Sequence, residues 1–222
     1  VSNSEVEIWN MALSSAQEKA SIVSPSENSK VANICRLWYP TARRRSLKAG
    51  AWPCATSYAR LPLLTERDAG LPWSNGNPAP GFKYAYGMPD DILAPQYLHT
   101  WERFEQIYAN GRKTLVTNSS DALLRYTFDQ TLVSDWDEGL VLTVASFLGA
   151  LICRNLNGKL GLSDRLAAEA RDMALESQTE IANQENREYE TLPPNIVARG
   201  YSGRVSQTRY FHPFDQLNGV PE

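Results

Sequence analysis

The chain has 222 residues, a formal net charge of −3, 42% hydrophobic residues and 21% charged residues. That balance describes a folded chain rather than a disordered one, and it excludes a strongly cationic nucleic-acid clamp. No uninterrupted run of about 18 apolar residues is present, so no membrane-spanning segment is expected, and residues 1–5 lack the basic flank and apolar core of a signal peptide.

The small total hides a segregation. Residues 1–50 carry seven basic and four acidic groups, whereas residues 134–190 carry five basic and eleven acidic ones. Such a chain can meet its own copies or other proteins through faces of opposite sign.

Ser4-Glu5-Val6-Glu7 fits a capping box and opens a first helix, with Val6, Trp9, Leu13 and Ala16 on one apolar face. Ser24-Pro25-Ser26-Glu27 predicts the start of a second helix, with serine as the cap and proline at the first position. Val31, Cys35, Trp38 and Ala42 continue it. Pro40 predicts a kink or break, because it removes a donor and crowds the carbonyl of Arg36. The pattern resumes through Leu47 and stops at Gly50.

Residues 52–132 change period. The stretch 68–81 is rich in Gly, Pro and Asn and reads as a surface loop. Phe82, Tyr84 and Tyr86 alternate as in a strand. Residues 104–109 and 112–117 flank Asn110-Gly111, a pair suited to a tight hairpin turn with positive φ. Residues 123–128 form a third strand after the turn at Ser119-Ser120-Asp121. Together these predict one small antiparallel sheet.

Helices return at Ser134. Leu140, Val141, Val144, Ala145, Leu148, Leu151 and Ile152 form a wide apolar stripe, so this helix is expected to be central. Asn157-Gly158 ends it. Ser163-Asp164 then caps a fourth helix, with Leu166, Ala170, Met173, Ser177 and Ile181 on a narrow stripe. Its other faces hold Glu169, Asp172, Glu176, Glu180 and Glu185. Residues 191–222 hold too many Pro and Gly for a long helix. Their aromatics suit a segment that orders against a partner.

The predicted class is α+β: mainly an α-helical bundle (1–51 and 133–190), with a small inserted antiparallel β region (52–132) and an extended C-terminal arm (191–222).

Catalytic signatures are sparse. The two histidines, His99 and His212, lie in different segments, and no HExxH, paired CxxC, GxSxG or phosphate-cradling glycine loop occurs. No metal or cofactor is expected. Cys35, Cys54 and Cys153 read as reduced thiols. Asp90-Asp91 reads as a turn, and Asp135, Asp137 and Glu138 as first-turn acids favoured by the helix dipole. Arg43-Arg44-Arg45 is the densest positive run. It suits phosphate contacts, a solvated helix face, or ion pairs with the acidic fourth helix of a neighbouring copy.

The order of motifs carries more. Ile8-Trp9-Asn10-Met11-Ala12-Leu13 is followed by Cys35-Arg36-Leu37-Trp38-Tyr39-Pro40-Thr41-Ala42-Arg43. Then come Leu47-Lys48-Ala49-Gly50-Ala51-Trp52-Pro53-Cys54-Ala55, Tyr84-Ala85-Tyr86-Gly87-Met88-Pro89-Asp90-Asp91 and Ile107-Tyr108-Ala109-Asn110-Gly111-Arg112. Over roughly residues 5–185 this series resembles the tail tubular protein A family, the head-to-tail adaptors of short-tailed bacteriophages.

The resemblance implies a structural, non-catalytic virion protein at the portal–nozzle junction, assembled in the host cytoplasm. It implies a twelve-fold ring of its own copies, contacts with the portal protein and the tail nozzle, and genomic DNA passing through the lumen without specific binding. No membrane insertion is implied. The family's arm reaches toward the portal, so Tyr201, Arg204, Tyr210 and Phe211 become candidate portal contacts. Arg43, Arg44 and Arg45 on one side and Glu169, Asp172 and Glu176 on the other become candidate subunit contacts. The arginine run is more basic than the family pattern, and the 68–81 loop has no family counterpart. The rival readings are a carboxylate-based glycan hydrolase of a phage tail, another virion assembly protein, and a DNA-binding accessory protein using the arginine run.

Overall fold

A computed structural model describes residues 4–67, 81–109, 111–156 and 158–184. The arm, with Tyr201, Arg204, Tyr210, Phe211 and His212, lies outside the described residues, as do most of the 68–81 loop and Glu185.

The described fold is mixed α+β. Its elements in chain order are α1 (Glu5–Ser15), α2 (Lys30–Ala49), β1 (Thr56–Arg60), β2 (Leu63–Glu66), β3 (Tyr84–Gly87), β4 (Ile92–Leu98), β5 (Phe104–Ala109), β6 (Arg112–Thr117), β7 (Leu123–Phe128), α3 (Glu138–Leu156) and α4 (Leu160–Gln184). Short 3₁₀ turns, Pro53–Ala55 and Val133–Asp135, stand at the two junctions between helices and strands. Among the described residues, seven strands in two sheets correct the expectation of a mainly helical bundle with one small sheet.

The capping box forms. The Ser4 hydroxyl accepts from the Glu7 amide, and the Glu7 carboxylate accepts from the Ser4 amide at 2.8 Å. Ile8, Trp9, Ala12 and Leu13 of α1 are buried. Helix α2 starts later than its Ser-Pro signal predicts. Ser29 is the actual cap, accepting from the Ala32 amide. The Ser24–Glu27 chemistry closes a local turn instead: the Glu27 carboxylate accepts from the Val23 amide, and Arg36 donates to the carbonyls of Pro25 and Glu27. Helix α2 also runs through Pro40 without a break. Its buried face, with Cys35, Tyr39, Ala42 and Leu47, holds it along α3 on both sides of the proline.

The predicted hairpin is present, with Ala109 paired to Arg112 and Gly111 at a φ of +77°. Its sheet has the order β2-β3-β6-β5, all antiparallel. Residues 123–128 do form a strand, but not in that sheet. Strand β7 is the centre of a second antiparallel sheet, β1-β7-β4. Strands β1, β2 and β4 carried no clear alternation because all three are edge strands of mostly half-exposed residues. Pro95 fits within β4 because that strand is an edge, and the register shifts on either side of it.

Helix α3 begins at Glu138, after the 3₁₀ turn that takes up Asp135. The Asp137 carbonyl accepts from the Val141 amide at 3.1 Å. Helix α4 begins three residues before its predicted cap. Ser163 lies inside it, with the buried hydroxyl donating to the Ala150 carbonyl of α3 at 2.8 Å. By length and composition α3 is apolar enough to cross a membrane, a property that a search for unbroken apolar runs misses, and 67% of that window is buried in the fold.

Helix α3 is the central element, as its wide stripe predicts: Leu140, Val144, Leu148 and Ile152 are fully buried. They share one cluster with Trp9, Tyr39, Trp52, Trp136 and Ala170. Burying each large side chain of this kind contributes about 2 kcal/mol. Trp52 ties the end of α2 to the start of the β region, its indole N–H donating to the Ser46 carbonyl at 2.9 Å. A second cluster, including Tyr86, Leu98, Leu115 and Leu124, lies among the strands.

Candidate functional site

Exposed charge of opposite sign is concentrated on α2 and α4. Helix α2 contains six cations, Lys30, Arg36, Arg43, Arg44, Arg45 and Lys48, and no acid. Three of these form the run singled out in the sequence, and the structure gives each of those three an internal partner.

Arg43 lies on the buried side of α2 and is only 8% exposed. Its Nε and Nη2 donate to the two carboxylate oxygens of Asp129, both at 3.0 Å. Arg44 Nε donates to the same carboxylate at 2.9 Å, while its side chain stays 58% exposed. The guanidinium of Arg45 stands 4.7 Å from the centre of the Phe147 ring of α3. Burial would raise the Asp129 carboxyl, but hydrogen bonds and charge from Arg43 and Arg44 outweigh it and hold the group below the ordinary aspartate value. Arg43 and Arg44 therefore fasten α2 to the segment after β7, while Arg45 lies against α3.

Lys30 and Lys48 differ from the run. Both are exposed, and neither has an ion-pair partner among the described residues. Between them lie Asn33, Leu37, Thr41 and Arg44, all exposed. Leu37 is 69% exposed. In an α-helix these positions fall on one face, opposite Cys35, Tyr39, Ala42 and Ser46.

On α4, Leu166, Ala170 and Ala174 are buried, and Met173, Ser177 and Ile181 are half-buried. Glu169, Asp172, Glu176 and Glu180 are exposed and recur at steps of three and four, so they form one acidic stripe. None of the four has an ion-pair partner among the described residues. Within the chain the structure does not pair Glu169, Asp172 or Glu176 with Arg43, Arg44 or Arg45.

A third surface is a cleft of about 630 Å³ at the hairpin tip, lined by Arg60, Met88, Asp90, Tyr108, Arg112 and Lys113 among others. Asp90 sits in a turn, as expected, and is the one carboxylate among the described lining residues. His99 is half-buried after β4, and its amide donates to the Leu123 carbonyl. Cys35 and Cys153 are buried and Cys54 is half-buried, all as free thiols. Burial pushes the Cys35 thiol up to about 11, and burial followed by the Asp137 charge does the same for Cys54.

Sequence reasoning missed Asp129, an isolated acid between a strand and a 3₁₀ turn that carries no local signal. It also missed the outward face of α2. That face is legible in the helical spacing of Lys30, Leu37, Arg44 and Lys48.

Compared with known proteins, the chain matches no family model and no curated protein.

Proposed function

We propose that this protein is a structural head-to-tail adaptor of the tail tubular protein A type. Its copies pack side by side into a ring that joins a portal to a tail nozzle and lets DNA pass. The observation that carries this reading is the order and spacing of the motifs between residues 5 and 185. The segregated charge supports it: a head-to-tail contact sets one patch against a different patch on the next copy, and a ring results when the rotation closes. A basic α2 and an acidic α4 supply such a pair of patches.

In this reading residues 191–222 engage the portal through Tyr201, Arg204, Tyr210 and Phe211. A lumen with few free cations suits DNA that must slide, because each phosphate contact adds affinity. Electron microscopy of the full chain, alone and mixed with portal protein, tests the proposal. Closed rings seated on the portal are expected. A chain that neither closes into rings nor binds portal overturns it.

A further inference from the structure

We infer that the outward face of α2, marked by Lys30, Leu37, Arg44 and Lys48, is a docking surface whose occupant is the acidic stripe of α4 on a second copy of this chain. The inference rests on the adaptor reading for its biological setting but is argued from the two faces themselves.

The α2 face is positive and partly apolar. It lies opposite the side buried against α3, so nothing within the described fold covers it. The helix offers no acid to neutralise it. Leu37 stands at its middle and is more than two-thirds exposed. From Lys30 to Lys48 the face extends about 27 Å at the helical rise.

The α4 stripe is the complement. Glu169, Asp172, Glu176 and Glu180 repeat one sign at neighbouring positions, an arrangement that opposes helix formation through like-charge repulsion. Among the described residues, Arg165 heads the stripe and is the one opposing charge in line with it. The four acids extend about 16 Å, short enough to lie within the α2 face. A cationic partner relieves the repulsion. The α2 face of the next copy supplies that charge, with the Leu37 side chain and the stems of the lysines to exclude water.

This assignment differs from a contact through Arg43-Arg44-Arg45. Arg43 is buried against Asp129, whereas Arg44 and Arg45 are both exposed, Arg45 with its guanidinium over the Phe147 ring and Arg44 in line with Lys30, Leu37 and Lys48. Because each copy carries both faces, the contact is heterologous and repeats from copy to copy.

The test uses two full-length variants. One carries Lys30→Glu and Lys48→Glu, and the other carries Glu169→Lys, Asp172→Lys and Glu176→Lys. All five positions are exposed, and Arg44 is left in place because it also holds Asp129. Self-association is read by native mass spectrometry and sedimentation. Each variant alone sets like charge against like and is expected to associate about tenfold or more weakly than the parent. Mixed in equal amounts, the two restore opposite charge at every junction, and association returns to within about threefold of the parent. Misfolding cannot mimic recovery on mixing.

Three results overturn the inference: a parent chain that stays monomeric, variants that associate like the parent, or a mixture that does not recover. Parent and variants that all form rings on the portal remove this interface and leave the adaptor reading standing. Swap-sensitive association without portal binding removes the adaptor reading and leaves the interface.

Discussion

Asp129 receives three hydrogen bonds from two arginines, with its side chain 19% exposed and 86 residues separating it from Arg43. Replacing it with asparagine leaves Arg43 buried without its counter-charge, and the expected loss is about 2 kcal/mol, between the values for exposed and fully buried pairs. Urea unfolding at neutral pH measures it. The sign of the pH effect follows from the lowered carboxyl. The stabilisation is present above the ordinary aspartate value and is lost as pH falls through the depressed folded value. The asparagine variant therefore converges on the parent in acid, and a constant gap between them at every pH contradicts the pairing. The sequence revealed the arginines but not this role. A charge run announces itself locally, whereas its partner is chosen by the fold.

At the level of elements, the signals that proved readable are those completed within a few residues. The capping box of α1, the Asn-Gly hairpin and the stop at Gly158, whose φ is +62°, need no distant partner. The start of α2 misled because Ser24-Pro25-Ser26-Glu27 satisfies its hydrogen bonds in a turn as well as at a helix end. The second sheet was illegible because β1 and β4 depend on β7 for their pairing, and neither alternates clearly. Packing between helices is equally non-local. A Cβ on Gly149 of α3 would stand 3.1 Å from the Ala12 carbonyl oxygen of α1, a backbone atom with little freedom to yield. Gly149→Val is therefore expected to cost about 2 kcal/mol through overpacking, read as a lower thermal midpoint. An unchanged midpoint would mean that α1 and α3 approach less closely than described.

Across the molecule, Trp52, Ala55, Val133 and Trp136, from the segments joining helices to strands, belong to the helical cluster, and Leu93 of β4 packs against it. The Asp129 pair adds a second tie. Helices and sheets are thus expected to unfold in one transition, with tryptophan fluorescence and far-UV circular dichroism coinciding in urea. Separated midpoints would show that the ties do not couple them. Pro95 has a further consequence at this scale. It removes a backbone donor from the outer side or the pairing side of an edge strand, and the irregular register around it spoils the regular ladder that another chain would copy. That blunted edge disfavours open-ended strand addition, so aggregation by β-pairing at β4 is discouraged by the same residue that fits the strand only because it lies at the edge.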